Sequence, residues 1–165
     1  MQLYIVRHGI AIDREDPKSP PDPDRFLTEE GIERTTQVAK GIVALGATAD
    51  LLMSSPYVRA MQTAEIFAAA LEYPKQKIRR TDLLPGSEAT LFFRELAKDK
   101  HSSSIFCFGH APQLDDLIAT GLGSKHHVTS LKKAGVALLE LRRVSPPSGQ
   151  LVWVATPKML RKAAK

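Results

Sequence analysis

The sequence contains a single cysteine, no long apolar run and few aromatic residues, and each scarcity excludes a class of protein. Cys107 has no second cysteine with which to form an internal disulfide, and its place in the apolar run Ile105–Phe108 predicts a buried thiol without a catalytic role. The first apolar run ends at Arg7, and no later stretch reaches the roughly 18 to 20 uncharged residues that cross a bilayer. We therefore expect a soluble, unexported, cytoplasmic protein that does not bind a membrane.

Length and composition are typical of one globular domain. The chain has 165 residues, 43% of them apolar and 25% charged, which predicts a single domain over residues 1–165. The formal net charge of +5 would admit a nucleic acid or an acidic partner. A nucleic-acid reader needs aromatic platforms or a basic helical stripe, and aromatic residues make up only 6% of the chain, so we expect no nucleic-acid partner.

Short apolar runs alternate with longer periodic ones along the chain. The short runs predict buried strands at 3–6, 51–53 and 104–108, and the longer ones predict helices after Thr28 and over about 57–71, 87–98 and 112–122. A hairpin over about 135–155 follows, and the cations of the last residues predict a solvated basic tail (Lys158, Arg161, Lys162 and Lys165). The alternation predicts an α/β three-layer sandwich, with helices on both faces of a mostly parallel central sheet.

Charged and imidazole side chains follow three of the predicted strands. Arg7, His8 and Gly9 end the first strand, Arg59 lies near the helix start after the second, and His110 follows the strand 104–108. Ligands collect at the carboxyl ends of parallel strands, and no carboxylate follows any of these three strands directly. The pattern predicts an anion pocket on one rim of the sheet. A polar, proline-rich segment over 13–24 should form a surface loop.

These residue types suit phosphoryl chemistry. Guanidinium groups bind tetrahedral oxyanions through paired donors, and the helix start at Arg59 adds backbone N–H groups. A neutral imidazole between two arginines is a competent nucleophile for phosphorus, because the surrounding positive charge lowers its pKa. A backbone carbonyl bound to one ring nitrogen would leave the other nitrogen free. Gly9 is expected to let the backbone approach the phosphate closely.

Four blocks of sequence, in this order, resemble the histidine phosphatase superfamily, whose fold is called phosphoglycerate mutase-like. They are Leu3–Gly9 (LYIVRHG), Leu27–Gly31 (LTEEG), Ser55–Ala64 (SPYVRAMQTA) and Gly109–Pro112 (GHAP). The resemblance spans residues 2–123, and four ordered blocks are far more specific than a lone Arg-His-Gly. It implies that His8 is the phosphorylated nucleophile, that Arg7 and Arg59 hold the phosphate, and that His110 stabilises the transferring group.

In its short length, the chain is most similar to the SixA branch of that superfamily, whose members are small bacterial protein phosphohistidine phosphatases. The resemblance implies a metal-independent phosphatase with no cofactor, which binds phosphate or another oxyanion in its pocket. It also implies a phosphohistidine-bearing signalling or phosphotransfer protein as substrate. His126 and His127 lack the carboxylate or i+4 histidine of a metal site, so no metal site is predicted.

A general acid is the one part of the pattern that the sequence leaves open. Glu88 is the only glutamate in the region where mutase-like members carry the acid, and it also suits the first turn of a helix. A phosphomonoesterase acting on small molecules would need Glu88 to protonate an alkoxide, whereas an imidazole leaves without help. A non-catalytic phosphoprotein-binding module is the alternative of another class, and it would not need both histidines.

Overall fold

A computed structural model of the protein describes residues 1–164, and it contains six strands and five α-helices in that range. The strands are β1 (Gln2–Arg7), β2 (Leu51–Ser54), β3 (Arg79–Arg80), β4 (Ser104–Gly109), β5 (Val136–Arg143) and β6 (Ser148–Ala155). The helices are α1 (Glu29–Ala44), α2 (Val58–Ala70), α3 (Ala89–Leu96), α4 (Gln113–Gly121) and α5 (Pro157–Ala163). None of these helices combines the length and the apolar character that a membrane crossing requires.

The strands form one sheet in the order β3-β2-β4-β1-β5-β6. The pairs β3–β2, β2–β4 and β4–β1 are parallel, while β5 pairs antiparallel with both β1 and β6. Residues of α3 and α4 pack on one face of the sheet, and residues of α1, α2 and α5 pack on the other. The predicted three-layer α/β sandwich with a mostly parallel central sheet is therefore confirmed.

The continuous apolar runs of β1 and β4 reflect this two-sided burial. Ile5 and Cys107 face the layer of α3 and α4, whereas Val6 and Phe108 face the layer of α1 and α2, and all four side chains are buried. Burial raises the pKa of the Cys107 thiol, which keeps it protonated and unreactive. Because β1 and β4 are neighbours in parallel register, with Arg7 opposite Gly109, their carboxyl ends deliver His8 and His110 to the same rim.

The chain end is a helix, where the sequence predicts a solvated tail. Thr156 caps α5 by accepting a hydrogen bond from the backbone N–H of Met159, and Pro157 occupies the first turn. Leu160 is 1% exposed and packs among the residues of the α1 layer. Its backbone lies against Gly41 of α1 so closely that a Cβ atom there would overlap it. The segment is therefore a docked helix and not a tail, although Lys158 and Lys162 are exposed as predicted; Lys165 lies outside the described residues.

Candidate active site

His8 lies directly after β1, and its ring is held in one tautomer. Nδ1 is 2.7 Å from the carbonyl oxygen of Gly9, and because a carbonyl only accepts, Nδ1 carries the proton. Nε2 therefore keeps its lone pair, which faces the Arg59 Nε–H at 3.3 Å. The backbone N–H of Gly9 donates to Thr63 Oγ1 at 3.1 Å and fixes the turn that carries the ring. Nε2 is the atom of His8 available to attack an electrophile.

The electrostatics of the pocket keep His8 uncharged. Burial lowers its pKa to about 3, and the nearby His110, Arg59 and Arg7 act in the same direction, although the Gly9 carbonyl opposes them. At neutral pH the imidazole is thus a free base, as nucleophilic attack requires. The close approach of a phosphate to Gly9 stays a prediction. A Cβ atom at Gly9 would lie 2.4 Å from Thr35 Oγ1 of α1, so packing against that helix also favours glycine.

His110 follows β4 and faces His8 across the rim, with ring centroids 5.1 Å apart. Its Nε2 is 2.9 Å from the hydroxyl oxygen of Ser55, and its buried Nδ1 has no partner in the described part of the chain. Burial lowers its pKa to about 4, helped by Arg59 and Arg7 and opposed by Asp22. Both histidines are therefore neutral in the free site. A bound anion would raise the pKa of both, because negative charge favours the protonated imidazole.

Arg59 lies in the first turn of α2 and is 5% exposed. Its guanidinium donates from Nε to His8, from Nη1 to the carbonyl oxygen of Asp22 at 2.5 Å, and from Nη2 to Asp22 Oδ2 at 3.2 Å. The Tyr57 ring lies 5.2 Å from its Cζ. Four groups, from His8, Asp22 and the neighbouring Tyr57, thus fix this guanidinium beside His8.

Arg7, the last residue of β1, lies close enough to His8 and His110 to lower the pKa of both. Its Nη1 donates to the carbonyl oxygen of Leu131 at 2.6 Å, and its buried Nε has no partner among residues 1–164. The segment that holds it is fixed in turn by the buried carboxylate of Asp115, which accepts from Leu131 N at 3.1 Å and from Thr129 Oγ1 at 2.7 Å. Arg7 is therefore held in place while a buried donor stays available for an oxyanion.

A carboxylate that the sequence analysis missed reaches this pocket. Asp22 comes from the proline-rich loop and forms ion pairs with Arg59 at 3.2 Å, Arg25 at 2.9 Å and Arg14 at 3.0 Å. Partial burial opposes its ionisation, yet the hydrogen bonds from these three guanidinium groups lower its pKa to about 2. The residues that follow the three strands give no sign of this carboxylate, because Asp22 lies in a loop far from any strand end and folds back onto Arg59.

Glu88 has a much looser environment than Asp22. It is the exposed residue that precedes α3, and in the described part of the chain it makes no side-chain hydrogen bond or ion pair. The loop before it is tied to the His110 segment, since Gln113 Nε2 donates to the carbonyl oxygens of Leu83 and Ser87 at 2.7 and 2.8 Å. Its role as a general acid stays a prediction.

The paired histidines of the 124–133 segment lie on the surface. His127 Nε2 is 2.5 Å from Asp116 Oδ1, and this hydrogen bond raises the pKa of His127. His126 is also exposed. Within residues 1–164, no group of three or more His, Cys, Asp or Glu side chains is placed to hold a metal ion.

The comparisons with known proteins agree with this geometry. A family model described as histidine phosphatase superfamily (branch 1) matches residues 3–83. An uncharacterized protein of Picosynechococcus sp. is 36% identical over 165 residues, which cover 97% of this chain and 99% of that protein. The chain belongs to the histidine phosphatase superfamily. The resemblance carried by the four sequence blocks is thereby confirmed.

Solved structures of other proteins share the fold along almost the whole chain. The protein histidine phosphatase SixA, solved with tungstate, superposes with a TM-score of 0.83 at 24% identity, covering 96% of this chain and 98% of SixA. A phosphoserine phosphatase mutant of Entamoeba histolytica, solved with phosphoserine, has a TM-score of 0.73 at 16% identity, with 96% and 98% covered. These likenesses confirm the phosphoglycerate mutase-like fold.

Proposed function

We propose that this histidine phosphatase hydrolyses phosphohistidine on a signalling or phosphotransfer protein through a phospho-His8 intermediate. One observation carries the proposal. The pocket combines a neutral nucleophile and two anchored guanidinium groups with a carboxylate that stays ionised, so residues 1–164 supply it with no buried protonated acid for a leaving group. Such a site suits a leaving group that departs unaided. The likeness to SixA supports the same substrate class.

The first chemical step transfers the phosphoryl group to the protein. The phosphoryl oxygens bind between Arg7 and Arg59. The phosphorus atom then occupies the position in front of His8 Nε2 where the Arg59 Nε–H lies in the free site. The Nε2 lone pair forms the new N–P bond, while the substrate's N–P bond breaks and its electron pair returns to the departing imidazole. His110 and the two guanidinium groups stabilise the charge on the equatorial oxygens.

The second step releases phosphate. Water attacks phosphorus on the side opposite His8, the His8 N–P bond breaks, and its electron pair returns to Nε2. Because Nδ1 keeps its proton for the Gly9 carbonyl throughout, the electron pair that returns to Nε2 leaves the ring as a neutral imidazole, and the proton that the attacking water loses passes to a phosphate oxygen. Inorganic phosphate then dissociates and the free pocket is restored.

A small-molecule phosphomonoesterase with Glu88 as general acid is the second candidate, favoured by the fold shared with the phosphoserine phosphatase. A non-catalytic phosphoprotein-binding module remains the alternative of another class. The unprotonated Nε2 of His8 argues against it, since binding a phosphate needs only the arginines. The decisive experiment incubates the purified protein with a phosphohistidine-bearing protein and with para-nitrophenyl phosphate and compares the released phosphate. Turnover of neither substrate would leave the binding module as the better description.

Glu88→Gln separates the two enzymatic candidates. We expect less than about a tenfold change in turnover of a phosphohistidine protein, because imidazole, with a conjugate-acid pKa of about 6.5, needs no external proton. General acid catalysis is worth roughly 10² to 10⁴ in rate, so a true acid would be easy to detect. The measurement is steady-state phosphate release, with Glu95→Gln in the same helical region as control. A hundredfold loss, with the circular dichroism spectrum unchanged, would favour the phosphomonoesterase.

Activity should survive exhaustive dialysis against EDTA. The guanidinium and imidazole groups of Arg7, Arg59 and His110 already supply the positive charge and donors that a metal ion would bring to the phosphoryl group. The measurement is phosphate release before and after dialysis, with zinc and magnesium added back separately. Loss of activity that one of these metals specifically restores would contradict this prediction.

A further inference from the structure

The carboxylate of Asp22 lies at the mouth of the pocket, where three arginine side chains bind it. Oδ1 is bound by Arg25 and Arg14, and Oδ2 by Arg59. Arg25 is itself buried and anchored, since its Nε and Nη2 both donate to the carbonyl oxygen of Ile12 at 3.0 and 2.9 Å. Two fixed cations therefore hold the Asp22 carboxylate in place, while its side chain stays 37% exposed to solvent.

Asp22 can be neither a phosphate ligand nor a proton donor. Its negative charge repels a phosphoryl group, and its pKa of about 2 leaves no proton to give at neutral pH. Its field nevertheless reaches the reacting groups, because it opposes the lowering of the His110 pKa. An ionised, partly exposed carboxylate beside the phosphate site is suited to accept a hydrogen bond from a substrate N–H group or to face a positive charge.

The leaving group of phosphohistidine offers such a group. In the protonated substrate, one ring nitrogen is bonded to phosphorus and the distal nitrogen carries a proton. When the N–P bond breaks, its electron pair returns to the first nitrogen and neutral imidazole departs. If the distal proton is missing, the ring must depart as imidazolate, a far stronger base and a poorer leaving group. Any group that favours the protonated ring therefore accelerates cleavage.

We propose that Asp22 determines the substrate class of this site: its carboxylate accepts a hydrogen bond from the distal N–H of the departing imidazole. The inference rests on the proposed phosphohistidine phosphatase function and adds a residue that contacts the substrate. It explains why a pocket for anions keeps a carboxylate at its mouth. A leaving group that is itself anionic gains nothing from Asp22 and is repelled by it.

A purely structural role for Asp22 makes a different prediction. If the carboxylate only positioned Arg59, its removal would slow every substrate to the same extent, because every substrate presents the same phosphoryl group to that guanidinium. A contact with the leaving group instead slows only substrates that depart as imidazole. Comparing two leaving groups on one phosphoryl site separates these roles.

The test compares wild type with Asp22→Asn on free phosphohistidine and on para-nitrophenyl phosphate. We expect kcat on phosphohistidine to fall about 10- to 100-fold more than kcat on para-nitrophenyl phosphate, because loss of the Arg59 partner slows both substrates alike, whereas loss of the charged hydrogen-bond acceptor slows only phosphohistidine. The alkaline limb of the phosphohistidine kcat profile should begin at a lower pH in Asp22→Asn, since the protonated substrate is no longer stabilised. Asp22→Glu, which keeps the charge, should retain more phosphohistidine turnover than Asp22→Asn.

Asp24→Asn is the matched control, because Asp24 belongs to the same 3-10 turn (Asp22–Asp24), is exposed and forms no ion pair within residues 1–164. It should match wild type on both substrates. An equal loss on both substrates in Asp22→Asn, or no loss on either, would overturn the inference and leave the proposed function intact. A wild type that cleaves para-nitrophenyl phosphate but not phosphohistidine would overturn the proposed function, and the inference with it.

Discussion

A protein carrying His8→Ala will release phosphate at least about 10⁴-fold more slowly than wild type from any substrate that the wild type hydrolyses. The expected loss is this large because, in the proposed mechanism, the bond to phosphorus forms at His8 Nε2, beside the anchored Arg59 guanidinium. His101→Ala is the matched control, since His101 is exposed in the loop before β4. Phosphate release by the variant within a hundredfold of wild type would contradict the assignment.

The same assignment predicts where the phosphoryl group is trapped. Wild-type protein quenched in base during turnover should carry an acid-labile phosphate on Nε2 of His8, because Nδ1 is engaged with the Gly9 carbonyl. Mass spectrometry locates the residue, and phosphorus NMR distinguishes the two ring nitrogens. Phosphate on Nδ1, on Ser54 or on Cys107 would show that the reacting atom lies elsewhere.

Arg59→Ala and Arg7→Ala have the second largest expected effects. Each should weaken transition-state binding by on the order of 3 to 5 kcal/mol, which is more than about a hundredfold in kcat/KM, because the phosphoryl charge is left partly uncompensated in a buried pocket. Arg59→Lys should recover little, since an ammonium group cannot reproduce the three-sided guanidinium contact with His8 and Asp22.

Arg34→Ala controls for the loss of a surface cation, because Arg34 is exposed on α1 and its one ion-pair partner among residues 1–164 is Glu30. Its kcat/KM should equal that of wild type. The measurement is kcat/KM with para-nitrophenyl phosphate, which presents its phosphoryl group to both arginines. An Arg59→Ala or Arg7→Ala variant within tenfold of wild type would mean that the phosphate binds elsewhere.

Much of the fold and the centre of the site follow from short-range sequence patterns. Continuous apolar runs predict β1 and β4 because strands covered on both faces need no alternation, and strand order then brings His8 and His110 together. Thr28 was predicted to cap α1 and does so, by accepting a hydrogen bond from Gly31 N. These features depend on neighbours within a few residues, and the sequence carries them directly.

Other features depend on partners that no local pattern indicates. Asp22 lies in a segment without periodicity, and only ion pairs with arginines up to 37 residues away place its carboxylate at the pocket. Helix α5 has more cationic than buried side chains. Its polar composition therefore gives no indication that Leu160 packs against α1. Thr156 and Pro157 were the local signal that could have revealed the helix, as a cap residue followed by proline at the first turn.

The central position of β1 also determines when the pocket can form during folding. Its two neighbours are β4 and β5, so Gln2 pairs with Ser104 and Glu140, more than a hundred residues along the chain. Contacts this distant in sequence carry a large loop-closure entropy and are typical of slow folding. His8 and Arg7 cannot be placed until those later strands have been synthesised and have docked. Phosphate binding by the pocket would therefore be detected only after the sheet is complete. An early, partly folded state would not bind phosphate at this pocket.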